Sequence, residues 1–122
     1  HSGVLRVKRN GKKYTLTMTE ELVNLTNKEK AVESVDIKEI ESVKISQSKI
    51  WLRIDANFIP GTDIAKFYYS LDGKNWHKIG SDYKMQFDYR RLFMGTKFAL
   101  FCYATKKAGG YVDIDSFNYT RR

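Results

Sequence analysis

Apolar and polar residues alternate one by one through almost every segment of this chain, and a period of two is the signature of strands rather than helices. The stretch 97–119 shows it best. From Lys97 to Ala104, Phe98, Leu100 and Cys102 point one way while Ala99, Phe101 and Tyr103 point the other. After TKKAGG, the run Tyr111–Asp115 sets Val112 and Ile114 against Tyr111, Asp113 and Asp115. These two runs are expected to pair as a hairpin around the Gly-Gly turn. The face carrying Phe101, Tyr103, Tyr111, Asp113 and Asp115 mixes flat rings with carboxylates, which suits a sugar better than a core.

The same pattern organises the rest. Val4–Arg9 alternates with Leu5 and Val7 inward, and Asn10-Gly11 supplies a tight hairpin turn because both residues tolerate positive φ. Tyr14, Leu16 and Met18 then oppose Thr15, Thr17 and Thr19. The Glu- and Lys-rich part that follows has the composition of a helix over 27–42. The two-residue spacing of Val35 with Ile37, and of Val43 with Ile45, favours short strands at 21–25, 32–37 and 42–46 instead. In Lys49–Asn57, Ile50, Leu52, Ile54 and Ala56 form the expected buried face, with Trp51, Arg53, Asp55 and Asn57 opposite. Ile64–Leu71 and Asn75–Ile79 are expected to pair through the Asp72-Gly73 turn, with Phe67, Tyr69 and Leu71 on one side and Lys66 and Tyr68 on the other. Residues 80–96 read as a long connection with at most a short strand at 83–87, anchored by Tyr83, Phe87, Tyr89 and Phe93. Many short strands separated by turn signals predict an all-β, antiparallel sandwich.

At 122 residues the chain suffices for one domain, assigned to 4–122, with His1, Ser2 and Gly3 set aside as remnants of an added tag. No apolar run approaches the ~18 residues of a membrane span, and the N-terminus lacks the apolar core of a signal peptide. The net charge of +8 raises nucleic acid or another acidic polymer as a partner. Its basic residues are dispersed along the sequence, and the densest groups, KRNGKK and Lys106-Lys107, fall at turns, so a solvated basic surface is the plainer expectation. The single cysteine, Cys102, excludes an internal disulfide and is expected to be a buried, inert thiol.

Two motifs go beyond generic strands. Tyr69, Ser70, Leu71, Asp72, Gly73 and Trp76 form YSLDG followed by a tryptophan. Met94, Gly95, Lys97, Phe98, Ala99, Leu100, Phe101, Tyr103, Ala104 and Thr105 lead into Gly109, Gly110, Tyr111, Asp113, Asp115 and Phe117. Together they resemble the C-terminal concanavalin A-like domain, a xylan-binding carbohydrate-binding module, of glycoside hydrolase family 43 β-xylosidases and α-L-arabinofuranosidases. The similarity is specific over 49–120 and loose over 4–48. It implies a jelly-roll sandwich lacking the first strands of the longer family domain. The chain is then a C-terminal part, a domain completed by another chain, or an abbreviated version. The resemblance also implies secretion or attachment to the cell envelope.

Three functions follow as expectations. The first is a noncatalytic module binding xylan, arabinoxylan or their oligosaccharides. Trp51, Tyr68, Phe101, Tyr103 and Tyr111 would supply rings, and Arg53, Asp55, Asp113 and Asp115 hydrogen bonds. Against this, Trp51 is as well read as a ring under a neighbouring loop, Trp76 as hairpin packing, and Asp113 and Asp115 as loop braces. No cofactor is expected; two carboxylates are a thin ligand set for calcium. The second is a structural domain that docks on and shapes the catalytic β-propeller implied by the resemblance. The third is an enzyme: same-face Asp113 and Asp115 would stand ~7 Å apart, within the inverting glycosidase range. Any i, i+2 pair gives that distance, and the family's acids belong to the propeller, so independent catalysis is not expected. Nor is a membrane or nucleic-acid partner.

Overall fold

The computed structural model describes residues 1–26, 31–86 and 96–121. Six strands form two three-stranded antiparallel sheets: β1 (Ser2–Asn10), β2 (Lys13–Leu25) and β3 (Val32–Ile45) in one, β4 (Trp51–Asn57), β5 (Ile64–Ser70) and β6 (His77–Lys84) in the other. There is no helix among the described residues. The sheets stack through one core: Leu16, Met18 and Ile45 meet Ala65, Phe67, Ile79, Tyr83 and Met85. Leu5, Tyr14, Val43, Ile50, Ala56 and Tyr69 pack around it. The all-β sandwich expected from alternation is the fold.

In the first sheet, Asn10-Gly11 turns β1 into β2 with Asn10 opposite Lys13. Register places Leu5 opposite Met18 and Val7 opposite Leu16; Leu5 packs on the core as expected, whereas Val7, expected inward, stays exposed on the outermost strand. The strands expected at 21–25, 32–37 and 42–46 are all present but merge into two long ones. A bulge between Met18 and Thr19 explains why β3 continues. Glu41 lies opposite Met18 and Glu39 opposite Thr19, which leaves Ile40 as the extra residue, packed against the core. Ser2 and Gly3 pair with Glu21 and Glu20 at the start of β1. The His1 ring stacks on Tyr83 at 5.0 Å, and its Nδ1 lies 2.8 Å from the Tyr83 hydroxyl.

In the second sheet, β6 runs well past Ile79, correcting the long connection expected from residue 80. Phe67 pairs with Ile79 and Ala65 with Tyr83, so β6 advances four positions where β5 advances two. Gly80 absorbs the difference at φ +75°, a left-handed conformation that favours glycine. Its freed N–H donates to Glu41 Oε2 of the other sheet at 2.7 Å. The expected anchor Tyr83 is buried; Phe87, Tyr89 and Phe93 lie outside the described residues, as do Met94 and Gly95.

Three further expectations are corrected. No strand is assigned within 96–121, so the runs 97–104 and 111–115 do not pair as a hairpin. Phe98, Leu100, Val112 and Ile114 are exposed, as is the thiol of Cys102. Alternation makes a segment fit for a sheet, but a strand exists only where a neighbouring edge takes its hydrogen bonds and a facing layer takes its side chains. Likewise, Leu52 and Ile54 pair with Tyr69 and Phe67 on the core side of β4, yet remain 43% and 41% exposed. Among the described strands theirs pairs only with β5 and forms an edge of its sheet, so their other side has no neighbouring strand to cover it.

Candidate functional site

The outer face of the β4–β5–β6 sheet carries the densest group of the expected ligand-binding residues. Alternation turns Trp51, Arg53 and Asp55 away from the core, and register sets Arg53 opposite Tyr68, itself opposite Lys78. The Arg53 guanidinium lies over the Tyr68 ring at 5.2 Å and over the Trp76 ring at 5.7 Å. Cation–π attraction holds it between two aromatic faces. Its Nε donates to Asp55 Oδ1 at 2.8 Å, and a second donor reaches Oδ2, a bidentate arrangement. The Asp55 bond raises the Arg53 pKa further still, so the guanidinium stays charged at any working pH. Beside this pair, Arg53, Ile54, Asp55, Asn118 and Thr120 line a hollow of about 270 Å³.

Trp51 is adjacent but braced. A β-carbon on Gly73 would stand 3.0–3.3 Å from its indole atoms, so the ring lies against the turn after β5. Lys49 Nζ covers it at 5.2 Å and also pairs with Asp115 at 2.6 Å. That turn is fixed by Asp72, which accepts from Ser70 Oγ, from the Lys74 and Asn75 amides, and from Asn75 Nδ2. These donors hold the Asp72 carboxylate well below its usual range, the Asn75 and Lys74 amides first.

Of the nine residues expected from the sequence, Arg53, Asp55 and Tyr68 converge, Trp51 flanks them, and Asp115 joins the flank through Lys49. Phe101 and Tyr103 stack on each other, centroids 5.9 Å apart and planes 29° inclined. Tyr111 is 86% exposed and Asp113 is also exposed. The site adds Trp76, Asn118 and Thr120. Trp76 was visible in the sequence as a ring after the turn; its seat on Arg53 was not. Asn118 and Thr120 carry no local signal, because their approach to β4 is set by the path of the chain.

The Lys49 hydrogen bond lowers the Asp115 pKa and keeps that carboxylate ionised, so Asp115 is not a protonated general acid. Among the described residues no three His, Cys, Asp or Glu side chains cluster as metal ligands. No helix of the described chain is long and apolar enough to cross a membrane. What the face carries is a guanidinium–carboxylate pair seated over two aromatic rings, beside a polar hollow.

No curated protein and no solved structure matches the chain. A family model does, over residues 2–120, and so takes in the loosely similar first half as well as the specific second. With its all-β sandwich, the chain belongs to the family described as the β-xylosidase C-terminal concanavalin A-like domain, a non-catalytic domain of glycoside hydrolase family 43 proteins.

Proposed function

We propose that this domain binds xylan- or arabinoxylan-type chains on the outer face of β4 and β5, as an accessory module of a family 43 hydrolase. The observation that carries the reading is the Arg53–Asp55 pair held beside Tyr68 and Trp76 above a polar hollow. Sugar rings present an apolar face to an aromatic side chain and hydroxyls to a fixed donor and acceptor. Titration calorimetry of the purified chain with neutral xylo-oligosaccharides and arabinoxylan tests it. Tyr68→Ala and Trp76→Ala, checked for folding, are expected to weaken binding about tenfold each, roughly 1.4 kcal/mol. Tyr103→Ala reports whether the second ring pair contributes. Affinity unchanged in both folded variants would refute this site.

A docking role has its own support. Leu52 and Ile54 on the edge strand β4, with Phe98, Leu100, Phe117 and Tyr119, leave much apolar surface exposed. A family 43 catalytic domain is the partner this second reading names. Co-expression with that domain should bury these side chains from solvent-accessible labelling, and unchanged labelling would count against it.

A further inference from the structure

The fold gathers basic residues that are scattered in the sequence. Most cations of the second sheet sit beside carboxylates: Arg53 by Asp55, Lys66 and Lys78 by Asp82, Lys84 by Asp63. In the first sheet Arg6 pairs with Glu21. Lys8, Lys12, Lys13 and Lys44 are different: all four are exposed, and among the described residues none has an ion-pair partner. Register aligns Lys8 with Thr15 and Thr15 with Lys44, and sets Lys13 at the adjoining hairpin end. One strand spacing on either side of Thr15 puts the Lys8 and Lys44 backbones ~10 Å apart. Lys12, Lys13, Tyr14, Thr15, Lys44, Ile45 and Ser46 line a hollow of about 500 Å³ beside them, and no acidic residue lines it. Arg9 adds a further cation over the Tyr14 ring at 5.9 Å.

We propose that this hollow is an acidic-sugar subsite that binds the carboxylate of a uronic acid side group on a xylan-type chain. The inference rests on the glycan-binding reading and extends it to a second sheet. The volume lies in the range of small-ligand clefts and admits a uronic acid with room to spare, with Thr15 and Ser46 hydroxyls for its hydroxyl groups and lysine ammoniums for its carboxylate. A nucleic-acid track spreads many cations along a path and loses affinity steeply with salt. Here a few cations converge on one opening, which fits a single anionic substituent.

The test is calorimetric titration of the full chain with a neutral xylo-oligosaccharide and with one of equal length carrying a glucuronic acid branch. Both are run at low and at half-molar salt, alongside Lys13→Gln/Lys44→Gln and single-stranded DNA. The acidic ligand is expected to bind about tenfold more tightly at low salt. High salt or the double variant should shrink that advantage to within about twofold, while the neutral ligand keeps its affinity. Equal affinity for the two sugars would overturn the subsite and leave the Tyr68 face standing. Binding of the acidic sugar alone would support the subsite and remove that face. Binding of neither would overturn both. DNA bound more tightly than the acidic sugar would overturn the assignment to a glycan. Preserved circular dichroism and neutral-ligand affinity separate loss of the site from misfolding in the variant.

Discussion

Gly80→Ala probes a close contact between the two sheets. Gly80 sits at φ +75°, a conformation that costs a residue with a β-carbon about 1 kcal/mol. The added carbon would stand 2.8 Å from Met18 Sδ, 2.9 Å from Cγ and 3.2 Å from Cβ. Met18 has no exposed surface, and two of these atoms lie near its backbone, so the side chain cannot simply swing away. Forcing a methyl into such a core typically costs about 1–3 kcal/mol. The sum, about 2–4 kcal/mol, is a large share of the ~5–15 kcal/mol that holds a domain together. Gly11→Ala is the matched control: its φ is +63°, but nothing lies within 4 Å of the new carbon. It should therefore show the conformational cost alone. In urea unfolding followed by circular dichroism, with m near 2 kcal/mol/M, Gly80→Ala should lower the midpoint by about 1–2 M. Gly11→Ala should lower it by about 0.5 M. Equal midpoints for the two variants would refute the close approach of β6 to β2.

Two further outcomes concern pH. Burial first, and then the Glu20 charge, push the Tyr83 pKa up to about 12. The unfolded phenol ionises near pH 10, so this contribution is whole below pH 10 and is lost as pH rises from there through 12. Tyr83→Phe should flatten the alkaline limb of a stability–pH curve; an unchanged limb would contradict the burial. The Asp72 carboxylate is held low by its turn donors. Its contribution is present above the unfolded value near pH 4 and declines as pH falls below it. Asp72→Asn should blunt the acid loss of stability, and an identical acid limb would count against that network.

Much of the sandwich was legible because alternation and turn chemistry are local. Leu16, Met18, Phe67 and the Asn10-Gly11 turn sit as the pattern places them. What was hidden depends on partners. β6 continues through Gly80 because Glu41, on another sheet, receives its N–H. The 97–119 run has ideal alternation and no ladder, since a strand pattern does not specify an edge to pair with. The same limit governed the site. Trp51, Arg53, Asp55 and Tyr68 could be placed on one face from spacing, and Trp51 lies against a neighbouring turn as one reading of the sequence had it, but the choice of the Gly73 turn and the approach of Asn118 and Thr120 are non-local. The basic hollow was hidden for the same reason, because Lys44 joins Lys12 and Lys13 only through the β2–β3 register.

Each sheet is a meander of consecutive strands, and among the described elements only Ser46–Ile50 carries the chain from one sheet to the other. That order has a kinetic consequence. Every ladder closes between neighbours in sequence, so the loop-closure entropy that slows most all-β folding is small here. Each meander can assemble early and separately. The late, rate-setting event is then the face-to-face meeting of Leu16 and Met18 with Phe67 and Ile79. Mutations in that seam should slow folding more than equally destabilising ones in either hairpin turn.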